Sequence, residues 1–456
     1  MSTLVLDGCT VVTMDGQHSE YATGHVVVTG NVITAVGPGS PPPASLAGAG
    51  AIRHIEASGC LATPGLINAH HHLYQWGTRG MAADATLFEW LTRLYPVWAR
   101  MDAGTVRPLA TAALAWLAKS GCSTSMDHHY VFPRAGGDIL GATIAGAQQV
   151  GLRFHPTRGS MDLGVSSGGL PPDEVVEDRD SILIASKAAI EQYHDASPDS
   201  MLRLGLAPCS PFSVTSGLLE ETAALARQAG VRLHTHLAET AEEGEYCAEH
   251  FGRTPVEYLD SVGWLGGVVW LAHGVHLDDA AIARLAETGT GVAHCPSSNG
   301  RLGAGVCRTR DLVAAGVPVG LGVDGAASSE ENSLIGEVRQ ATLTARAAGG
   351  PLAMSVRQAL ELATMGSARL LGRHAEIGSL EAGKLADIAL WRLDTLPHAG
   401  IADPVAALVL GARPPLELLL VNGRTVVEQD QLVTVDEHQT AADARRASAS
   451  LTGSER

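Results

Sequence analysis

Thr63-Pro64-Gly65-Leu66-Ile67-Asn68-Ala69-His70-His71-His72-Leu73-Tyr74-Gln75 reads as a buried strand that runs into a histidine cluster. Alternate side chains of an extended strand share a face, so the pattern turns His70 and His72 toward one point and His71 away. Two imidazoles so placed are half of a metal site. A lone His-x-His has an ordinary alternative, a pair of core histidines with satisfied hydrogen bonds, so the decision rests on whether later strands supply more ligands.

Outward from this stretch, apolar runs alternate with Ala- and Leu-rich helical patterns. The runs fall at residues 122–129, 152–158, 202–209, 231–236, 268–273, 290–295 and 317–324. With the opening stretch they make eight candidate strands, nearly all ending in a polar or metal-capable residue. This is the pattern of an α/β fold, a closed (β/α)8 TIM-like barrel with its chemistry at the carboxyl ends of the strands. The two chain ends differ from this middle. Short β-rich runs at 4–6, 11–13, 25–28 and 32–36 are matched by others at 386–391, 417–421 and 425–427, with Val421-Asn422-Gly423 as a hairpin signal. The expected division is a small β-sandwich domain built from both termini (1–60 and 373–435), the barrel at 61–372, and a C-terminal helix or tail at 436–456 that frays into Ser and Gly. Residues 37–50 read as loop.

Composition limits the partners. The chain has 456 residues, 45% of them hydrophobic, and a formal net charge of −17. So acidic a surface repels phosphate backbones and anionic lipid, which argues against nucleic acid and membrane and for a small neutral solute. No basic segment precedes an apolar core at the amino terminus, and no apolar run reaches spanning length, so a soluble, cytoplasmic protein is expected. The seven cysteines are widely spaced and include no C-x-x-C pair, which points to free thiols.

The missing ligands follow from the strand ends. His236 closes the fifth strand, with His234 on the same face and Glu239 three residues on; His273 ends the sixth, and Asp324 the eighth. His70, His72 and His236 with Asp324 make a mixed N/O set that suits Zn²⁺ with one position left for water. The competing reading makes each His a hydrogen-bonded core residue and Asp324 a turn cap before Gly325.

The chain resembles the amidohydrolase superfamily, in its mononuclear purine and triazine deaminase branch. The resemblance runs through Pro64-Gly65-Leu66-Ile67-Asn68, the His70/His72 pair, His236 with Glu239, Ala272-His273-Gly274, His294-Cys295-Pro296-Ser297-Ser298-Asn299 and Val323-Asp324-Gly325. Within that branch it looks most like the 8-oxoguanine deaminases, through Asp127-His128-His129-Tyr130, Thr157-Arg158-Gly159-Ser160-Met161 and Ala207-Pro208-Cys209-Ser210-Pro211-Phe212, among other stretches. It implies His70, His72, His236 and Asp324 as ligands of one Zn²⁺ per chain, with Fe²⁺ the alternative, and Glu239 and His273 as proton-handling residues. The implied partners are a small heterocyclic substrate and other copies of the chain, as a dimer or higher homo-oligomer. Ser328-Ser329-Glu330 departs from the usual Ser-Asn-Asp, and Gly300 stands where a bulkier residue is usual. A two-metal site bridged by a carboxylated lysine is not expected, because none of the three lysines (Lys119, Lys187, Lys384) falls at a strand end. His374-Ala375-Glu376 matches half of another zinc deaminase signature, but no Pro-Cys-x-x-Cys follows.

The implied reaction is hydrolytic deamination of an amino-substituted purine, 8-oxoguanine to urate and ammonia. Zn²⁺ lowers the pKa of a bound water toward about 7; His273 and Asp324 take the water's proton, and a protonated Glu239 supplies one to the ring nitrogen. Candidate substrate contacts are Gln75, Cys209 and Trp90, the last as a stacking lid from a helix whose Leu87, Leu91, Leu94 and Trp98 have core spacing and whose Phe88 reads as buried. The alternatives are another aminated heterocycle (guanine-like, pterin or s-triazine, including hydrolytic dechlorination) and a metal-binding protein without turnover.

Overall fold

The computed structural model describes residues 2–46 and 50–454. In it the opening stretch is two strands, not one. Cys60–Pro64 pairs antiparallel with Ile388–Arg392 in a sheet made from the chain ends, whereas Leu66–Asn68 pairs parallel with Cys122–His129 in the barrel. The transfer takes place at Gly65, whose N–H donates to Asp387 O at 2.9 Å, while the next N–H, of Leu66, goes to Gly121 O at 2.8 Å. A Cβ on Gly65 would stand 2.4 Å from Ser123 Oγ, so only glycine passes between the two sheets here.

The barrel strands are Leu66–Asn68, Cys122–His129, Arg153–Ser160, Gly205–Pro208, Leu233–Leu237, Val269–His273, Gly291–His294 and Val319–Leu321, each hydrogen-bonded to its sequence neighbour. The first and last are joined just beyond their ends, where Ala69 N–H donates to Leu321 O (2.8 Å) and Asp324 N–H to His70 O (3.1 Å). Local signals place the helices between them. Asp102, Asp138, Asp178, Thr215 and Asp278 each cap a helix by accepting a first-turn N–H, and Gly151 and Gly230 end two of these helices in the left-handed conformation. Consecutive parallel pairing fed by capped helices carries every strand's carboxyl end to the same mouth.

The chain ends build one mixed nine-stranded sheet. Thr3–Val12 pairs along one edge with Glu20–Thr29, and shares its other edge between Ile52–Glu56 and Cys60–Pro64, so the sheet branches along this strand. Its core draws Leu6, Val11, Val26 and Ile33 from the first half and Ile388, Leu390, Leu418 and Leu420 from the second. The Leu416–Val421 and Arg424–Glu428 strands turn through Asn422 and Gly423, with φ of 50° and 74°, the twist that a two-residue hairpin favours. Within the 37–50 segment lie the end of the strand Val32–Pro38 and a 3-10 turn at Pro43–Leu46; residues 47–49 fall outside the described residues. The C-terminal segment is a helix up to Thr452, closed by Gly453 in the left-handed conformation. Helix Glu437–Thr452 buries Ala444, Ala447 and Leu451 and packs on Ala103–Lys119, because its small apolar stripe finds a partner; residues 455 and 456 lie outside the described residues.

A buried ion pair ties the two parts together: Arg153 Nε and Nη2 donate to Asp387 Oδ2 and Oδ1 at 3.0 and 2.9 Å. Among the described residues no helix is long and apolar enough to cross a membrane.

Candidate active site

His70, His71 and His72 lie beyond the end of the first barrel strand, yet the alternation persists. His71 turns away and places Nε2 3.0 Å from Asn332 Oδ1. His70 and His72 converge, each with Nε2 3.2 Å from Asp324 Oδ1, and His72 Nε2 lies 3.0 Å from His236 Nε2.

The outer nitrogens of these rings decide what the inner ones carry. His72 Nδ1 lies 2.7 Å from His128 O, and His236 Nδ1 2.7 Å from Cys209 O; a carbonyl only accepts, so both Nδ1 atoms bear the proton. His234 Nδ1 donates to Trp270 O (2.8 Å), which leaves His234 Nε2 to accept from His70 Nδ1, also at 2.8 Å. Each neutral ring so bound turns a bare Nε2 inward, and burial favours the neutral form of His70 and His236 by pushing their pKa well below the usual histidine value. Asp324 completes the set as a carboxylate. Its Oδ2 accepts from Ser298 Oγ (2.5 Å) and Ser328 Oγ (3.1 Å), and its Oδ1 from Gly325 N–H (2.8 Å).

Three imidazole nitrogens and a carboxylate oxygen thus turn toward one another in a buried space, a donor set suited to a cation. Donor atoms bound at 2.0–2.1 Å in a tetrahedral zinc site are spaced about 3.4 Å apart. Three of the separations in the set, 3.0–3.2 Å, come near that spacing, while Asp324 clusters within 4.8 Å with His70 and His273, and the histidines His70, His72 and His236 with His128.

Beside this cluster stand two more titratable groups, His273 and Glu239. His273 Nδ1 lies 2.9 Å from Asn299 Oδ1, which leaves Nε2 bare, 3.6 Å from Glu239 Oε1 and 4.0 Å from Asp324 Oδ2. Burial, reinforced by the Asp324 charge, drives the Glu239 carboxyl well above the ordinary glutamate range, which favours its neutral form. Ala238, His273 and Asp324 all have left-handed backbones, with φ of 53°, 74° and 60°. Non-glycine residues hold such angles only where the surroundings enforce them, and here they turn three strand ends inward.

Gln75, Trp90, Cys209, Tyr95, Tyr130 and Phe212 line the same pocket as His72, His236, Glu239, His273 and Asp324. Gln75 is buried, and its Oε1 has no hydrogen-bond partner among the described residues. Cys209 is buried as well, with its thiol pushed up to about 12 by burial. Trp90 reaches the pocket as a fixed wall, not as a free lid: it is buried, donates Nε1–H to Ala327 O at 3.3 Å and packs edge-on against Trp98. Phe88, expected to be buried, is the half-exposed one, with its ring 4.9 Å from Phe212. The helix Leu87–Trp98 lays Leu87, Trp90, Leu91 and Tyr95 over the pocket, which is the spacing of one helical face.

Several further residues take part that the sequence pattern does not single out. His128, at the end of the second strand, joins His70, His72 and His236 in a group whose ligand atoms all lie within 4.8 Å of one another. His234, Asn299, Ser298 and Ser328 act by holding other groups. For His128 a signal existed, a histidine at a strand end beside the first strand. The two departures near the mouth prove to be neighbours. Arg301, which follows Gly300, bonds Glu330 at 3.0 Å and donates to the carbonyls of Met81 and Ala82, tying two rim loops to the segment that leads into the Leu87–Trp98 helix.

A model described as the amidohydrolase family matches residues 61–426. The chain belongs to the amidohydrolase family. Over 433 residues this amidohydrolase is 44% identical to the 8-oxoguanine deaminase of Pseudomonas aeruginosa, with 93% of this chain and 95% of that one covered. It is 38% identical over 441 residues to an isoxanthopterin deaminase from an unknown prokaryotic organism, covering 92% and 90%. Among solved structures, the zinc complex of atrazine chlorohydrolase TrzN from Arthrobacter aurescens TC1 matches with a TM-score of 0.92 at 34% identity, covering 98% of this chain and all of that one. Membership makes the chain a hydrolase.

Proposed function

We propose that this amidohydrolase is a zinc-dependent aminohydrolase that converts 8-oxoguanine and water to urate and ammonia. The observation that carries the chemistry is the buried Glu239 carboxyl set 3.6 Å from His273 Nε2, which itself stands 4.0 Å from the Asp324 carboxylate. A proton delivered to the ring nitrogen makes the adjacent carbon electrophilic, which hydrolytic exchange of an amino group on an aromatic ring requires. The 44% identity to a deaminase of 8-oxoguanine supports the choice of ring.

His70, His72, His236 and Asp324 would hold one divalent ion, zinc by the chemistry of three imidazoles and a carboxylate, with Fe²⁺ as the alternative. When bound, the ion supplies Lewis acidity that makes water acidic enough to ionise near neutral pH. His273 Nε2 takes the proton of the attacking water, with Asp324 Oδ2 as its neighbour in the relay. Glu239 gives its proton to the ring nitrogen next to the amino-bearing carbon, so negative charge does not accumulate on the heterocycle. As the tetrahedral carbon collapses to the new carbonyl, Asp324 carries the proton of the added hydroxyl to the amine, which leaves as ammonia, and the proton on His273 returns to Glu239. Gln75 offers an amide to the purine edge, Cys209 faces the ring from the fourth strand end, and Trp90 forms the wall it lies against.

The test is a panel of 8-oxoguanine, guanine, isoxanthopterin and amino- and chloro-s-triazines, scored for ammonia and chloride. Fastest ammonia release from 8-oxoguanine is expected. Faster turnover of another member would replace the substrate while leaving the proton-transfer roles in place.

A further inference from the structure

Glu243 lies four residues beyond Glu239, in the first turn of the helix Ala241–Phe251, and is fully buried. A first-turn glutamate ordinarily sits in solvent and favours its own helix terminus. Glu243 instead turns back. One of its oxygens accepts the N–H of Ala238 at 2.8 Å and the other the N–H of Glu239 at 3.0 Å. Burying a carboxyl is costly, and two bonds to consecutive backbone N–H groups are what offset that cost here.

The peptide units so held are the strained ones. Ala238 has a φ of 53°, and its carbonyl is gripped from the opposite side by the N–H groups of Val275 (2.8 Å) and His276 (2.9 Å). The turn between the metal-site histidine His236 and Glu239 is therefore fixed from two directions, by its own following helix and by the loop after the sixth strand that also carries His273. The Cα–Cβ bond of Glu239 leaves the chain directly after the second clamped N–H. Relaxation of φ at Ala238 toward an ordinary value would swing the Glu239 carboxyl away from His273.

We propose that Glu243 is a positioning residue for the reaction: its carboxylate clamps the Ala238 and Glu239 N–H groups and thereby fixes the direction in which Glu239 presents its proton. The inference rests on the reading of Glu239 as proton donor.

Glu243→Gln keeps the volume but sets an NH₂ against one of the two N–H groups, whereas Glu243→Asp keeps both acceptor oxygens on a stem one carbon shorter. With 8-oxoguanine as substrate, E243Q should lower kcat by about 10²-fold, the cost of a displacement near 1 Å, with KM changed less than about twofold. E243D should fall between E243Q and wild type, metal content should be unchanged in both, and E243D carries the comparison if E243Q does not fold. Hydrogen exchange of peptides spanning residues 237–240 should be faster in both variants. The deciding measurement is E239Q/E243Q, which should turn over no more slowly than E239Q alone, since a residue that acts only through Glu239 has nothing left to position. Multiplied losses in the double variant, unchanged kcat in E243Q, or unchanged amide exchange would each overturn the proposal and leave Glu239 as donor. Wild-type turnover by E239Q is a different outcome: it removes the donor reading, and the proposal with it.

Discussion

Asn299 Oδ1 accepts the Nδ1 proton of His273 at 2.9 Å, and this contact leaves the other ring nitrogen bare toward Glu239 and Asp324. The residues come from the end of the sixth barrel strand and the short helix Pro296–Arg301 after the seventh, so the tautomer of one strand-end residue is set by its neighbour's loop. Asn299→Leu removes the acceptor and frees the ring to carry its proton on either nitrogen. A drop in kcat of about 10-fold or more with metal content unchanged is expected, from the range general-base catalysis contributes. Steady-state kinetics beside elemental analysis of the same preparation checks both parts.

One divalent ion per chain is expected, because the four convergent donors make one site. His236→Ala removes a nitrogen from that set and should abolish metal retention through gel filtration. Two ions per chain, both needed for activity, would falsify the single-ion reading.

Glu239→Gln keeps the shape of the side chain but has no acidic proton to give. Turnover should fall by roughly 10²-fold or more with metal content near wild type. In the wild-type enzyme the neutral form is the donor, so the rate should decline as pH rises through the elevated Glu239 pKa. A variant that keeps most of its rate would place ring protonation elsewhere.

Cys209→Ala tests substrate reading. A site that hydrogen-bonds a substrate oxygen rejects the analogue lacking it by up to about 10⁴-fold, but a thiol is a weak donor, so its share should be smaller. The ratio of kcat/KM for 8-oxoguanine over guanine should shrink while the metal stays bound. An unchanged ratio would take Cys209 out of the contact set.

Asp387→Ala leaves the Arg153 guanidinium, itself fully buried, without its carboxylate. Removing one partner of a buried pair costs about 3–5 kcal/mol. The urea midpoint of unfolding should fall well below wild type, and Asp387→Asn, which retains one acceptor, should lie between them. A midpoint unmoved in the Ala variant would mean that the pair does not bind the barrel to the terminal sheet.

Periodicity and strand ends carried a large part of this protein. The alternation of apolar runs with helical patterns specifies a parallel barrel because each run must be covered on both faces, and His236, His273 and Asp324 are visible because such a fold brings strand ends together. The Asn422-Gly423 turn is equally local, since left-handed backbone at both positions suits few other residues. What depends on contact across the fold was not legible. Pro64 and Gly65 look like the middle of one strand until Asp387 and Gly121 claim successive N–H groups on either side of the break. Trp90 and Phe88 share one amphipathic helix, and which of them is buried follows from the Ala327 carbonyl and the Phe212 ring, not from their spacing. The bare Nε2 of His70 is fixed by His234, 164 residues away, and through it by the Trp270 carbonyl. Glu243, next to Glu242 in the first turn of its helix, is turned inward by two backbone N–H groups. Sequence determined which residue types reach the mouth of the barrel. Tertiary structure alone decided their protonation and aim, because a hydrogen bond is settled by the partner that folding delivers.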